Sequence, residues 1–387
     1  MTGPTTQPFT LPDAQPTPPR SPSRPGLGRL RPAREDRDVS GHDAAVDIDV
    51  RTRLFTWFTD RAGVIAISRM DPAALARARS RRLTHNVVTS RVFGPMPADV
   101  SLTDLRVDLR QVGGTDPDPT TLRLYRPHGA LPGGRRREDG LPIVVNYHGG
   151  GGSLGNLDQS DWLCAQVAAR IGALVLSVDY RLAPEHPYPA GRDDGYAALV
   201  WAVRHAEALG GRADRVAVMG DSAGGNLAAV VAMMARESGP GIDAQVLIYP
   251  VVDLTLDAPS TAAFERGPLL TKADMDVFCA NYLGPDGDAT DPLCSPLLAP
   301  DHRGLPRALV ITAKVDPLHD DGVAYAHRLR AAGVPTRHSD HARAVHGFMT
   351  FPGMCRAATA ALDEICDELG GAFGPAQEDM KSPPLTE

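Results

Sequence analysis

The sequence predicts a mainly parallel α/β sheet covered on both faces by helices, and two observations carry that prediction. From about residue 143 short apolar runs alternate with helical segments, the pattern of strands buried on both sides. One run, Val216 to Met219, leads straight into the glycine-flanked serine of Gly220-Asp221-Ser222-Ala223-Gly224 and then into a small-residue helix from about Ala223 to Glu237. In that context the glycines let strand and helix pass close together, and Ser222 sits on a sharp turn with its hydroxyl above the sheet. Functional sites in such sheets lie at the carboxyl ends of the strands.

Taken in order, residues 1–42 are rich in Pro, Thr, Ser and Arg and offer almost nothing to bury, so a disordered tail is expected; 374–387 read the same way. Residues 43–95 hold two expected helices, Val50 to Ile67 and Pro72 to Arg82, the second opened by the cap and first-turn proline of Asp71-Pro72. Leu54, Phe55, Trp57, Phe58, Val64 and Ile65 give the first a broad apolar face, fit to pad the sheet or to cover a site. Residues 96–373 then form the main domain. Its strands are expected at Leu102–Leu109, Thr121–Tyr125, Ile143–Tyr147, Leu174–Val178, Val216–Met219, Val246–Tyr249, Leu309–Thr312 and about Thr336–Asp340. Helices are expected near Gln159–Ile171, Asp194–Leu209, Ala223–Glu237, Asp320–Ala332 and Phe351–Leu369. The stretch 254–307 breaks the strand–helix rhythm with a helix near Lys272–Tyr282, and its length at a strand's carboxyl end suggests a lid. The mixed-charge run Arg135–Asp139 reads as a solvated loop.

Composition excludes several classes. Among 387 residues, 40 Lys+Arg against 47 Asp+Glu leave a net charge of −7, which argues against nucleic acid or an anionic membrane surface as partner. Apolar runs such as Ala173–Val178 and Val246–Val252 fall far short of the roughly 18 residues a membrane span needs. The five cysteines, Cys164, Cys279, Cys294, Cys355 and Cys366, are scattered and odd in number, unlike a disulfide framework or a zinc site. With no secretory signal visible, a cytoplasmic protein is expected. No metal or organic cofactor is implied, and a homodimer is left open.

A nucleophilic serine needs a base, an orienter for the base and donors for an oxyanion. His346 is the candidate base, in His346-Gly347-Phe348 between the last expected strand and the C-terminal helix, with His338 and His341 as alternatives. Asp316 follows the strand at Leu309–Thr312 and is the candidate orienter; Asp320 and Asp321 are the alternatives, but they begin a helix and a capping role accounts for them. The order Ser222, Asp316, His346 is that of α/β-hydrolases. His148-Gly149-Gly150-Gly151-Gly152 follows the strand Ile143–Tyr147 without a Walker lysine, which suits amides of Gly150 and Gly151, with that of Ala223, to converge on a developing negative oxygen.

Six motifs in this order give the chain a resemblance to the hormone-sensitive-lipase-like carboxylesterases of the α/β-hydrolase superfamily. They are His148–Gly151, Asp179–Ala190, Gly220–Ala228, Ser295–Leu297, Asp316–Leu318 and His346–Phe348. The resemblance covers about residues 100–370. It implies an eight-stranded sheet, a helical cap built from the N-terminal helices and part of the 254–307 insertion, a Ser222–Asp316–His346 triad, and an oxyanion hole at Gly150, Gly151 and Ala223. It also implies that His148, Gly149, Gly220, Asp221 and Gly224 are mainly structural. One departure stands out: family members often carry an aromatic residue just after the three glycines, and Gly152-Ser153 here suggests a wider or looser pocket wall. The expected activity is hydrolysis of short- to medium-chain small-molecule esters through an acyl-enzyme. The same triad could deacetylate an amide or sugar or open a lactone. A non-catalytic ligand receptor on the same fold is the rival from another class, and it would be expected to lack a triad member.

Overall fold

The computed structural model describes residues 48–62, 66–128, 131 and 139–374. The expected tail at 1–42, nearly all of that at 374–387, and most of the charged run at 135–139 lie outside them.

The chain builds one eight-stranded sheet from β1 (Val100–Val107), β2 (Thr120–Pro127), β3 (Leu141–Tyr147), β4 (Leu174–Val178), β5 (Gly211–Asp221), β6 (Ala244–Ile248), β7 (Arg307–Val315) and β8 (Thr336–Val345). Their spatial order is β1-β2-β4-β3-β5-β6-β7-β8. The pairs β1·β2 and β2·β4 are antiparallel and the remaining pairs parallel. Around the sheet lie α4 (Asp161–Ile171), α5 (Ala190–Arg204), α6 (Ala223–Ser238), α9 (His319–Ala331) and α10 (Ala357–Ala372). The 254–307 insertion contributes α7 (Pro259–Ala263) and α8 (Lys272–Leu283), and the N-terminal part contributes α1 (Val50–Ala62), α2 (Pro72–Ser80) and α3 (Ser90–Phe93).

Side-chain alternation divides the interior into two layers. Ile143, Val145, Tyr147, Val216 and Val218 pack with residues of α5, α6 and α9, whereas Val144, Ala217 and Met219 between them pack with residues of α4 and α10. Central strands covered on both sides are mostly apolar, and β3, β4 and β6 are buried at every position; their polar members find partners, Asn146 donating to Ser177 Oγ and Gln245 to the Pro306 carbonyl, each at 3.0 Å. The two ends of the sheet are less covered, and there the sequence pattern is blurred. β8 is an edge strand carrying Arg337, His338, Asp340 and Arg343, so it runs on to Val345, beyond the expected Asp340. β5 starts at Gly211, ahead of Val216, through a polar stretch whose pairing with β3 shifts register between Leu141 and Ile143.

The first helix departs from expectation in its orientation. It ends at Ala62, and Ile67–Arg69 is a separate 3-10 turn. Thr52, Thr56 and Thr59, spaced along one stripe, are the buried positions among the described side chains of α1, whereas Val50, Leu54, Trp57 and Phe58 are exposed. The threonines can be buried cheaply because their hydroxyls find partners close by: Thr56 donates to Arg53 O (3.2 Å), Thr59 to Thr56 O (2.9 Å) and Thr52 to Met354 O (3.1 Å). Among the aromatic residues of α1, Phe55 packs with its ring 4.7 Å from that of Phe351.

Candidate active site

β5 ends at Asp221 and α6 begins at Ala223, so Ser222 alone makes the turn. It does so at φ 55°, ψ −119°, a strained conformation for a residue with a side chain. The Ile248 carbonyl holds the turn by accepting from Ser222 N–H at 2.8 Å. Such a tight passage leaves no room at Gly224, where a Cβ would run into the Tyr147 carbonyl of β3. Ala223 is the first residue of α6, and its N–H has no carbonyl one turn behind it in the helix.

His346 directly follows β8, and Asp316 directly follows β7. The Ser222 Oγ lies 2.9 Å from His346 Nε2, and His346 Nδ1 lies 2.7 Å from Asp316 Oδ2. Asp316 is fully buried; its Oδ1 accepts the Leu318 N–H at 2.9 Å, which fixes the carboxylate so that the other oxygen faces the imidazole. The Tyr249 ring meets the His346 ring edge-on, centroids 5.0 Å apart, and limits where the imidazole can swing. The alternatives lie elsewhere. His338 Nε2 pairs with Thr312 Oγ1 (2.9 Å), His341 lies 3.6 Å from Glu364, and Asp320 pairs with His319 Nδ1 (2.8 Å). Asp321 is buried, and burial followed by its acidic neighbours Asp253, Asp316 and Asp320 raises its pKa to about 8.

The glycine run after β3 borders the same cavity as Ser222, Ala223 and His346. Gly150, Gly151 and Gly152 adopt φ of 119°, 61° and 65°, which turn successive amide planes in a way side-chain-bearing residues resist. The loop is pinned at both ends. Gly149 N–H donates to Asp221 Oδ1 at 2.9 Å, and the Gly150 carbonyl accepts from Leu154 N–H at 2.7 Å. From outside, Arg79 of α2 donates to the carbonyls of Ser153 (Nε, 2.7 Å) and Ala183. His148 is buried beneath, its ring stacked on Tyr180 with centroids 4.5 Å apart, and the Tyr180 hydroxyl donates to its carbonyl at 2.6 Å. Burial lowers the His148 pKa, which favours the neutral imidazole.

Two features lay beyond the reach of the sequence. Asp221 is the anchor of the glycine loop, and burial pushes its pKa up to about 6 even though the Gly149 N–H favours the anion. The small residue at 152 does not open the wall as expected, because α8 occupies the space beside it. A Cβ at Gly151 would overlap the Phe278 ring, and one at Gly152 would come within 2.7 Å of Tyr282 Cδ2.

The cavity holds about 510 Å³ and reaches from the serine to an apolar wall that includes Met70 and Phe93 of the N-terminal part, Leu256, and Met275 and Phe278 of α8. Ser68 N–H and Oγ–H both donate to Asp274 Oδ1, at 3.0 and 2.6 Å, tying the N-terminal part to α8. Among the described residues no group of His, Cys, Asp and Glu is arranged to hold a metal ion, and no helix is long and apolar enough to cross a membrane.

Comparisons with known proteins agree with this architecture. A family model for the α/β-hydrolase fold matches residues 144–350. The carboxylic ester hydrolase LipN of Mycobacterium tuberculosis is 42% identical over 299 residues, 73% of this chain and 80% of that protein. The carboxylesterase NlhH of the same organism is 42% identical over 302 residues, 77% of this chain and 88% of its own. An ester hydrolase from the metagenome of Lake Arreo, solved with a derivative of bipyridine phosphonate, superposes with a TM-score of 0.71 at 36% identity, covering 84% of this chain and 99% of that one. With this fold and these relatives, the chain is a carboxylic ester hydrolase belonging to the hormone-sensitive-lipase-like carboxylesterases.

Proposed function

We propose that Ser222, His346 and Asp316 are the catalytic triad of a serine carboxylesterase, with the amides of Gly150, Gly151 and Ala223 as its oxyanion hole. The observation that carries the reading is the continuous pair of contacts, 2.9 Å from Ser222 Oγ to His346 Nε2 and 2.7 Å from His346 Nδ1 to a fully buried Asp316. Ser222 Oγ attacks the ester carbonyl as its proton passes to His346 Nε2, and the carbonyl oxygen becomes an oxyanion facing the three amides. The imidazolium then gives that proton to the departing alcohol as the tetrahedral carbon collapses to an acyl-enzyme. A water molecule loses a proton to His346 and attacks the acyl carbon, and the acid leaves as Ser222 recovers its proton. Asp316 holds the imidazole with Nε2 toward the serine and stabilises its cation. His148, Gly149, Gly220, Asp221 and Gly224 serve to hold this geometry.

The cavity supports the proposed substrate class. An apolar space of about 510 Å³ walled by Met275, Phe278 and Leu270 suits small esters with short or medium acyl chains. Residues 43–95 with α8 act as a cap over the hydrolase body at 96–373, a division supported by the shared cavity wall and the Ser68–Asp274 tie. The unpaired cysteines fit a cytoplasmic enzyme. The test is turnover of p-nitrophenyl acetate, butyrate and decanoate by wild type and Ser222→Ala. Hydrolysis of the two shorter esters by wild type alone supports the reading; an inert wild type, or an alanine variant with full activity, overturns it.

A further inference from the structure

We propose that the outer face of α1 is a docking surface for an anionic lipid bilayer, which seats the cavity mouth against the membrane. The observation is the inverted amphipathicity of that helix. Its threonine stripe faces the protein, and Val50, Leu54, Trp57 and Phe58 stand 56%, 63%, 57% and 65% exposed. Positions 50, 54, 57 and 58 share one helical face. A second exposed apolar pair, Val87 and Val88, lies in the segment whose Phe93 packs on Phe351, the ring that Phe55 of α1 also meets.

Charge complementarity selects the occupant. Arg51 and Arg53 flank the apolar face, and Arg91, in the short helix whose Phe93 shares the Phe351 contact with α1, is exposed as well. None of the three makes an ion pair within 4 Å among the described residues. The net charge of −7 averages over the whole chain and conceals this local excess of arginine. Large apolar side chains rimmed by arginine are the chemistry of a helix that lies in a lipid interface, with its apolar groups among the acyl chains and its cations at the headgroups. The location fits the cavity, because Phe351, on which both Phe55 of α1 and Phe93 pack, is part of its wall, as is Phe93 itself. Medium-chain esters concentrate at such an interface.

The test is co-flotation of the full-length chain with phosphatidylglycerol-containing vesicles and with pure phosphatidylcholine vesicles, read together with tryptophan emission. Trp162 and Trp201 are buried at 8% and 9% exposure, so Trp57 reports on the surface. The expected result is salt-sensitive binding to anionic vesicles with a blue shift of emission. Binding should fall about tenfold or more in Leu54→Ser/Phe58→Ser, in line with two apolar side chains withdrawn from the interface. Turnover of p-nitrophenyl butyrate in solution should stay unchanged, which shows that the variant is folded. Absence of vesicle binding overturns the proposal. So does binding that survives the double substitution, which would assign it to the arginine-bearing first 42 residues. A wild-type dimer that the double substitution dissociates also overturns it, because the face would then belong to a second copy. Vesicle binding is measured without substrate, so these outcomes are independent of the catalytic reading.

Discussion

Gly151→Ala tests whether the glycine loop must keep its present backbone for the reaction to run. The residue sits at φ 61°, so alanine there costs about 1–2 kcal/mol of backbone strain. Its Cβ would also overlap the Phe278 ring, far inside ordinary van der Waals contact, so ring and loop must part by roughly 1 Å. A misplacement of about that size costs about 100-fold in rate, similar to losing one oxyanion donor. The expected outcome is a kcat for p-nitrophenyl butyrate lowered about 100-fold, with KM changed only a few-fold. Because the obstacle is a side chain, Gly151→Ala/Phe278→Ala should regain about tenfold or more once the effect of Phe278→Ala alone is divided out. At Gly150 the obstacle is the backbone carbonyl of Leu154, and φ is 119°, so Gly150→Ala should be at least as damaging and unaffected by Phe278→Ala. Full kcat in Gly151→Ala, or equal rescue at both positions, would refute the reasoning.

Asp221→Ala leaves the Gly149 N–H without its buried acceptor, so it should cost about 1–3 kcal/mol in urea unfolding and lower kcat, whereas Asp221→Asn should keep most of both because its carbonyl oxygen can still accept. Asp316→Asn should lower kcat by about 10,000-fold at unchanged fold, since an amide does not hold the imidazole in the required tautomer; near-wild-type turnover would contradict its role. Asp321 has a folded-state pKa raised to about 8 from its ordinary 3.8, so the native state retains a proton the unfolded chain has lost, and stability falls as pH rises between those values. Asp321→Asn removes that loss. Its stability relative to wild type should grow by about 1.4 kcal/mol per pH unit from about pH 4 to about pH 8 and then level off, and parallel curves at pH 5, 7 and 9 would refute the assignment.

The parts legible in the sequence were those set by local chemistry. Ser222 could be found because a strand, a glycine-flanked serine and a small-residue helix must adjoin for the turn to close, and His346 and Asp316 because each follows a strand of the sheet. The orientation of α1 was not legible. Periodicity identifies which positions share a face but not which face meets the body, and threonines that bond local carbonyls can be buried where hydropathy would place them outside. Asp221 gave no signal of its own, because its partner Gly149 lies 72 residues earlier and meets it only once β3 and β5 pair. Gly152 misled for the same reason: the ring that fills the space beside it, Tyr282, comes from a helix in the distant insertion.

The nucleophilic role of Ser222 is tested most directly by intact-protein and peptide mass measurement after reaction with a p-nitrophenyl phosphonate. The prediction is a single stable adduct on Ser222 that forms as esterase activity disappears, with none on Ser222→Ala. An adduct on another residue accompanying the loss of activity, or full activity in a protein fully modified at Ser222, would contradict it.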